Sequence, residues 1–389
     1  MSSALNEKEI IGLTQRLVSC PSVNPPGDSK PCAGILLDYF RRNSIEARLE
    51  EAGQGVCNLV ARLSGRGKGK TLVLNGHLDV VPPGEGWTVD PFGAEIKDGI
   101  LYGRGASDMK SGLAALAAAV AAFKRSGAKF NGEIIFMAAG DEETGSRWGT
   151  VHLLEQGIGR RADFAIVAEP TDLAIHLGNR GLRWVDLTVK GKACHAGYPH
   201  LGINPIAYAA KLIELIESHK FTTKNDLFEV PFPSASVTMI EAGTKINVIP
   251  PQCRLSIDRR MLPGETAETV KAELAEMIGQ VLRLNPELSI DFSLKPEYWD
   301  PYLISPEEPV VLALRDAFKK VTGAEPGTGV AGFCTDGSDL YHLGGVPAAL
   351  FGPGNQKLAH QADECVPLAN IVTAARTVLA AFPRLLPAD

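Results

Sequence analysis

The most constraining feature of this chain is a repeated alternation between short apolar runs and longer amphipathic or Ala-rich stretches. Apolar runs at 58–63, 71–75, 133–138 and 164–168 read as buried strands, and stretches at 109–124 and 148–156 read as helices. Strands that alternate with helices of about 10–15 residues point to α/β units with a largely parallel sheet. Helical patterns at 7–18 and 36–42 precede this region, and a loop rich in Pro and polar residues, 19–28, separates them.

The period changes near Gly178. LRWVDLTVK at 182–190 alternates apolar and polar residues, as a half-buried strand does. A helical stretch at 205–218, strands at 234–240 and 246–259 and a helix at 266–282 follow, and after Asp291 the α/β pattern resumes with a helix at 307–321, a strand at 348–351 and a helix at 368–382. The expected architecture is an α/β catalytic domain with a mainly parallel sheet flanked by helices, made from residues 1–178 and 293–389. A smaller α+β module at 179–292, with a four-stranded antiparallel sheet and two helices, interrupts it.

Charge narrows the function classes. The 389 residues include 39 Lys and Arg against 45 Asp and Glu, a net charge of −6. Nucleic acid or an anionic membrane needs a concentrated cationic face, and the densest basic stretch, RLSGRGKGK at 62–70, is Gly-rich and reads as a solvated loop. The longest apolar run, 113–123, falls short of the ~20 residues that span a bilayer. Seven scattered cysteines without a CxxC fit free thiols in a reducing compartment. The start, MSSALNEKEI, lacks a charged segment followed by an apolar one, so a cytoplasmic protein is expected.

Acids and histidines stand where the apolar strands end, the edge at which open α/β sheets bind ligands. The run at 71–75 leads into Gly76-His77-Leu78-Asp79, where His77 could bind a metal while Asp79 accepts its other N–H. Read alone, the two could equally be a surface pair. Asp108 precedes the Ala-rich helix and reads either as its N-cap or as a bridging ligand. Strand 133–138 ends in Gly140-Asp141-Glu142-Glu143; in extended chain Glu142 and Glu143 would face opposite ways, one towards metal and one towards a water as general base. Glu169-Pro170 ends the fourth strand, and His360 sits in a Gly/Pro-rich loop. Together, two histidines and three carboxylates suit two zinc-like ions, with Glu142 left free to move a proton: the equipment of an amide hydrolase.

The motifs GHLDVVPPGEGWTVDPF (76–92), YGRGASDMKSG (102–112), GDEETGS (140–146), AEP (168–170) and FGPGNQKLAH (351–360) resemble, in this order, those of the co-catalytic zinc amidohydrolases and peptidases. That family includes acetylornithine deacetylase, succinyl-diaminopimelate desuccinylase, aminoacylase-1 and glutamate carboxypeptidase. The resemblance implies one metal on His77 and Glu169 and another on Glu143 and His360, with Asp108 bridging. It implies Glu142 as general base, Asp79 as the partner of His77, and a cis peptide after Asp108. The inserted module resembles a dimerisation or lid domain, in which His195 would stabilise the oxyanion and Asn247 and Arg260 would meet a substrate carboxylate. Arg259 or Arg260 could equally make an interdomain salt bridge. The expected activity is zinc-dependent removal of a short acyl group from an N-acyl amino acid by a homodimer, with cobalt or manganese as other candidate metals. A metallocarboxypeptidase or dipeptidase is the alternative, and a non-catalytic binding protein the remote one.

Overall fold

The computed structural model describes residues 5–388. The chain divides into two compact units. One comprises the chain up to Asn179, Leu303–Ala331 and the chain from Thr335 onward; the other comprises Arg180–Tyr302 and Gly332–Cys334.

In the first unit a mixed, mainly parallel sheet runs from the edge in the order Glu46–Glu51, Cys57–Ser64, Glu133–Ala139, Thr71–His77, Phe164–Val167, Ala348–Leu350, Ile175–Asn179. The central neighbours of Thr71–His77 are both parallel to it, so Glu133–Ala139 and Phe164–Val167 end at the same edge. Leu72, Val73, Leu74, Phe136, Ala165 and Ile166 are fully buried, which explains runs without polar alternation: both faces of a parallel sheet are covered. Burying each large side chain contributes roughly 1.5–3 kcal/mol.

The helix Lys110–Arg125 is buried along its whole length to Phe123, and its small side chains permit close approach to its neighbours. Gly112 marks the tightest point. A Cβ there would lie 2.2 Å from the carbonyl oxygen of Ala168, the residue before Glu169.

The second unit is the expected antiparallel sheet, ordered Ser234–Ala242, Gln252–Met261, Gly181–Lys190, Ser289–Trp299, with helices Pro205–Glu217 and Ala267–Leu282. Val185, Leu187 and Val189 face a core shared with Leu212, Ile216, Leu274 and Ile278. Asn204 caps one helix, and Thr266 and Thr269 form a reciprocal capping box at the other.

The single strand expected at 246–259 is two pieces, Val248–Ile249 and Gln252–Met261, because Pro250 and Pro251 interrupt it and proline offers no N–H to a ladder. Val248–Ile249 pairs instead with Cys194–His195. Where the α/β pattern was expected to resume after Asp291, the fourth strand continues to Trp299. A register shift between Leu294 and Tyr298 accommodates Pro296. The strand Ile175–Asn179, absent from the sequence reading, belongs to the large sheet.

Gly112→Val should lower stability by about 1–3 kcal/mol, read as a shift in the urea midpoint at unchanged slope, because overpacking drives the helix from the Ala168 carbonyl. An unchanged midpoint would mean that the approach is not tight.

Candidate metal centre

Two groups of side chains at the carboxyl edge of the large sheet could each hold a metal ion: His77 with Asp108 and Glu169, and Asp108 with Glu143 and His360. Within each group the ligand atoms lie within 4.8 Å of one another. Asp108 belongs to both. Its Oδ1 lies 3.0 Å from His77 Nε2 and its Oδ2 lies 3.4 Å from His360 Nε2, while Glu143 Oε1 is 3.2 Å from the same His360 nitrogen. One carboxylate thus faces two imidazoles with separate oxygens, as a bridging ligand must.

The elements explain the placement. His77 is the last residue of its strand, and Glu169 follows the end of the neighbouring one. Asp108 is not the N-cap of the Ala-rich helix; Met109 holds that position, without a side-chain cap bond. The Asp108–Met109 peptide is cis. Glu142 and Glu143 lie in a 3-10 turn, Glu142–Thr144, and not in extended chain; Glu143 reaches His360, while Glu142 is buried and belongs to neither cluster.

Asp79 behaves differently from its expected part. His77 Nδ1 bonds to the main-chain oxygen of Asp79 at 2.9 Å, whereas the nearer carboxylate oxygen stands 3.7 Å away. The strand ends at His77, so the alternation of extended chain does not govern where Asp79 lies. The Asp79 carboxylate instead accepts the backbone N–H groups of Glu142 and Glu143 at 3.2 and 3.1 Å and the amide of Asn24 at 2.9 Å. It therefore fixes the turn that carries both glutamates.

Burial and charge act on five of the residues at this edge. Burial pushes Glu142 and Glu169 well above the usual carboxylate range, and neighbouring carboxylates add to the effect. Burial alone would lower His77, but the Asp108 hydrogen bond and the charges of Glu142, Asp108 and Asp79 outweigh it and raise it well above the imidazole range. Hydrogen bonds to Asp108 and Glu143 raise His360 to about 10. Burial opposes ionisation of Asp108, yet the two histidines hold it below its ordinary range.

The donor set fits divalent cations of the zinc type. It consists of imidazole nitrogens and carboxylate oxygens, and Glu169 Oε1 is buried with no hydrogen-bond partner among the described residues. A buried carboxylate oxygen left this way is costly unless a cation meets it.

Sequence reasoning missed Asn24, Asp336 and Glu364. Asn24 bonds Asp79, Asp141 and Thr144 from a loop whose only visible signal was its prolines. Asp336, fully buried, accepts hydroxyl bonds from Ser146 at 2.5 Å and Thr150 at 2.7 Å. All of the cysteines are free thiols.

A profile of peptidase family M20/M25/M40 matches residues 73–383, a span that contains every residue of the two clusters. The chain belongs to this family. The M20 chain is 34% identical over 375 residues to succinyl-diaminopimelate desuccinylase of Roseobacter denitrificans, covering 93% of this chain and 94% of that one. The enzyme of the same name from Wolinella succinogenes is 34% identical over 386 residues, covering 96% and 99%. Solved structures share the fold: aminopeptidase PepT from Bacillus cereus has a TM-score of 0.81 at 21% identity, covering 98% of this chain and 99% of that one. An M20 metallo-carboxypeptidase from Sulfolobus solfataricus has a TM-score of 0.77 at 23% identity, covering 97% and 99%.

Elsewhere in this M20 chain, His195 is exposed, and its Nδ1 accepts the N–H of Gly197 at 3.0 Å. That bond leaves Nε2 as the ring nitrogen free to donate. Asn247 is exposed, and its main-chain oxygen accepts the N–H of Ala196. Arg259 is buried against Glu265 and Glu273, whereas Arg260, one-third exposed, pairs with Asp258 at 2.7 Å. The described residues contain no helix long and apolar enough to cross a membrane.

With both imidazoles raised, His77 and His360 carry protons at neutral pH before metal binds, and a ligand ring must be neutral. Zinc added to the metal-free protein in weakly buffered solution at pH 7 should therefore release protons, and affinity should rise with pH. His360→Ala should release fewer. Zinc binding without acidification would contradict ligation by these rings.

Proposed function

We propose that this M20 protein is a two-metal amide hydrolase that removes a short acyl group, succinyl foremost, from an N-acyl amino acid. The observation that carries the reading is the division of Asp108 between two His-and-carboxylate groups. His77 and Glu169 hold one ion, Glu143 and His360 the other, and zinc, cobalt or manganese suits these donors. The acyl class is supported by relatives named as desuccinylases at 34% identity over nearly the full chain.

A metal pair, when bound, polarises the scissile carbonyl and eases deprotonation of a water. Glu142 takes the proton of the attacking water and delivers it to the departing amine nitrogen; its burial raises its proton affinity towards the range that task needs. Asp79 and Asn24 hold the Glu142–Thr144 turn in place while Glu142 changes charge. His195 presents its Nε2–H to the developing oxyanion, and Arg260 and Asn247 meet the substrate carboxylate.

The protein acts as a homodimer through the inserted module. Ser234–Ala242 is an edge strand, and Met239 and Ile240 on it are 57% and 54% exposed, an unprotected edge of the kind that pairs with a second copy. In that dimer the partner subunit's His195 supplies the oxyanion donor.

The test is amine release from N-succinyl, N-acetyl and N-formyl amino acids and from dipeptides, with and without a chelator. Chelator-sensitive release from the acyl amino acids is expected; release from dipeptides alone would transfer the assignment to a peptidase. Glu142→Gln should keep its metal and lose roughly 10²–10⁴-fold in kcat. Near-normal turnover in that variant would remove Glu142 from the mechanism. His195→Ala should cost roughly 10²–10³-fold in kcat with little change in metal content.

A further inference from the structure

Glu364 has no part in the chemistry above, yet it is fully buried and every oxygen it carries is used. Its Oε1 accepts the backbone N–H of Ser107 at 2.8 Å and that of Asp108 at 2.9 Å. Its Oε2 takes Arg104 Nη1 at 2.5 Å. Arg104 is itself 1% exposed; its Nη2 donates to the main-chain oxygen of Pro83 at 3.1 Å and its Nη1 also to that of Gln361 at 3.3 Å, while its Nε is buried without a hydrogen-bond partner among the described residues. The loop that carries Asp108 and the loop that carries His360 are therefore tied through one carboxylate and one guanidinium.

The backbone reinforces the tie. Strand Cys365–Pro367 pairs with Ile100–Tyr102, and Gly103 N–H continues the ladder to the main-chain oxygen of Glu364. Between this anchor and the metal cluster, His360 adopts φ 65° and Asp363 φ 55°, left-handed conformations that a side chain makes unfavourable. Such conformations persist only where the surroundings over-determine them. Here the surroundings are the Glu364–Arg104 pair and the bonds from Thr88 to Asp363 at 2.8 Å.

We propose that Glu364 is a positioning residue for the metal pair: by holding the Asp108 backbone and the base of the His360 loop in one register, it sets the second ion's site. The two sites differ in how much they need it. His77 ends one strand of the large sheet and Glu169 follows the next, so the first ion's site depends on Glu364 only through Asp108. Glu143 sits on the turn that Asp79 holds, but His360 sits on the loop that Glu364 and Arg104 tie down, so the ion they share depends on the anchor through both Asp108 and His360. The inference rests on the two-metal reading above.

Cobalt titration of the metal-free, full-length protein, followed by calorimetry, visible absorption and electron paramagnetic resonance, tests it without using turnover. The wild-type protein should take up two ions, with magnetic coupling between them. Glu364→Gln, nearly isosteric but unable to pair with Arg104, should bind its first ion within a few-fold of wild type. It should bind the second about 10–100-fold more weakly, with the coupling diminished. Glu364→Asp keeps the charge but draws it back by one methylene; it should show the same selective loss and serves in place of Glu364→Gln if that variant does not fold. Two unchanged constants in a folded variant would overturn the proposal. So would equal weakening of both sites together with a lowered melting temperature, the mark of a general structural role. Fewer than two ions on the wild-type protein would instead overturn the two-metal reading.

Discussion

The structure is organised around an electrostatic debt at the carboxyl edge of its large sheet. Asp108, Glu142 and Glu169 are buried there beside Glu143, and only His77 and His360 offset them within the two clusters. Withdrawing each carboxylate from water costs several kcal/mol unless a cation or donor meets it. Hydrogen bonds answer part of this: Asp108 faces two imidazoles. Glu169 Oε1 has no such answer among the described residues. A fold that holds these groups together without cations is working against its own stability, the usual exchange at a functional site.

Much of the surrounding packing serves that arrangement. The parallel strands bring His77 and the 142–143 turn to one edge, because Thr71–His77 and Glu133–Ala139 run side by side in the same direction. Gly112 lets the Ala-rich helix lie against the backbone next to Glu169. Asp79 and Asn24 secure one loop, Asp336 another through Ser146 and Thr150, and Glu364 a third. These supporting groups are as buried as the ligands they serve, so a polar substitution in them would act on the site at a distance.

What could be read in the sequence follows from how local its cause is. Apolar runs such as TLVL and EIIFMAA declare themselves because covered parallel strands tolerate no polar alternation, and the alternation of 182–190 declares a half-exposed one. His77, Asp108, Glu143, Glu169 and His360 stand out because each lies at an abrupt turn after an apolar stretch or in a glycine-rich loop. The part played by Asp79 could not be read, since it depends on where the chain bends after His77, not on residue spacing. Pro250-Pro251 and Pro296 show that prolines mislead in both directions: the first pair divides an apparent strand, and the second is absorbed by a shift in register. Glu364 gave no local signal, because its partners Ser107 and Asp108 are more than 250 residues away.

The measurement that bears most directly on this arrangement is anomalous diffraction at the zinc edge from crystals grown with saturating zinc. Two peaks should lie about 3.5–4 Å apart, one within ligand distance of His77 and Glu169, the other of Glu143 and His360, with Asp108 between them. A single peak, or none, at these residues would contradict the bridging role of Asp108 and the hydrolase built on it.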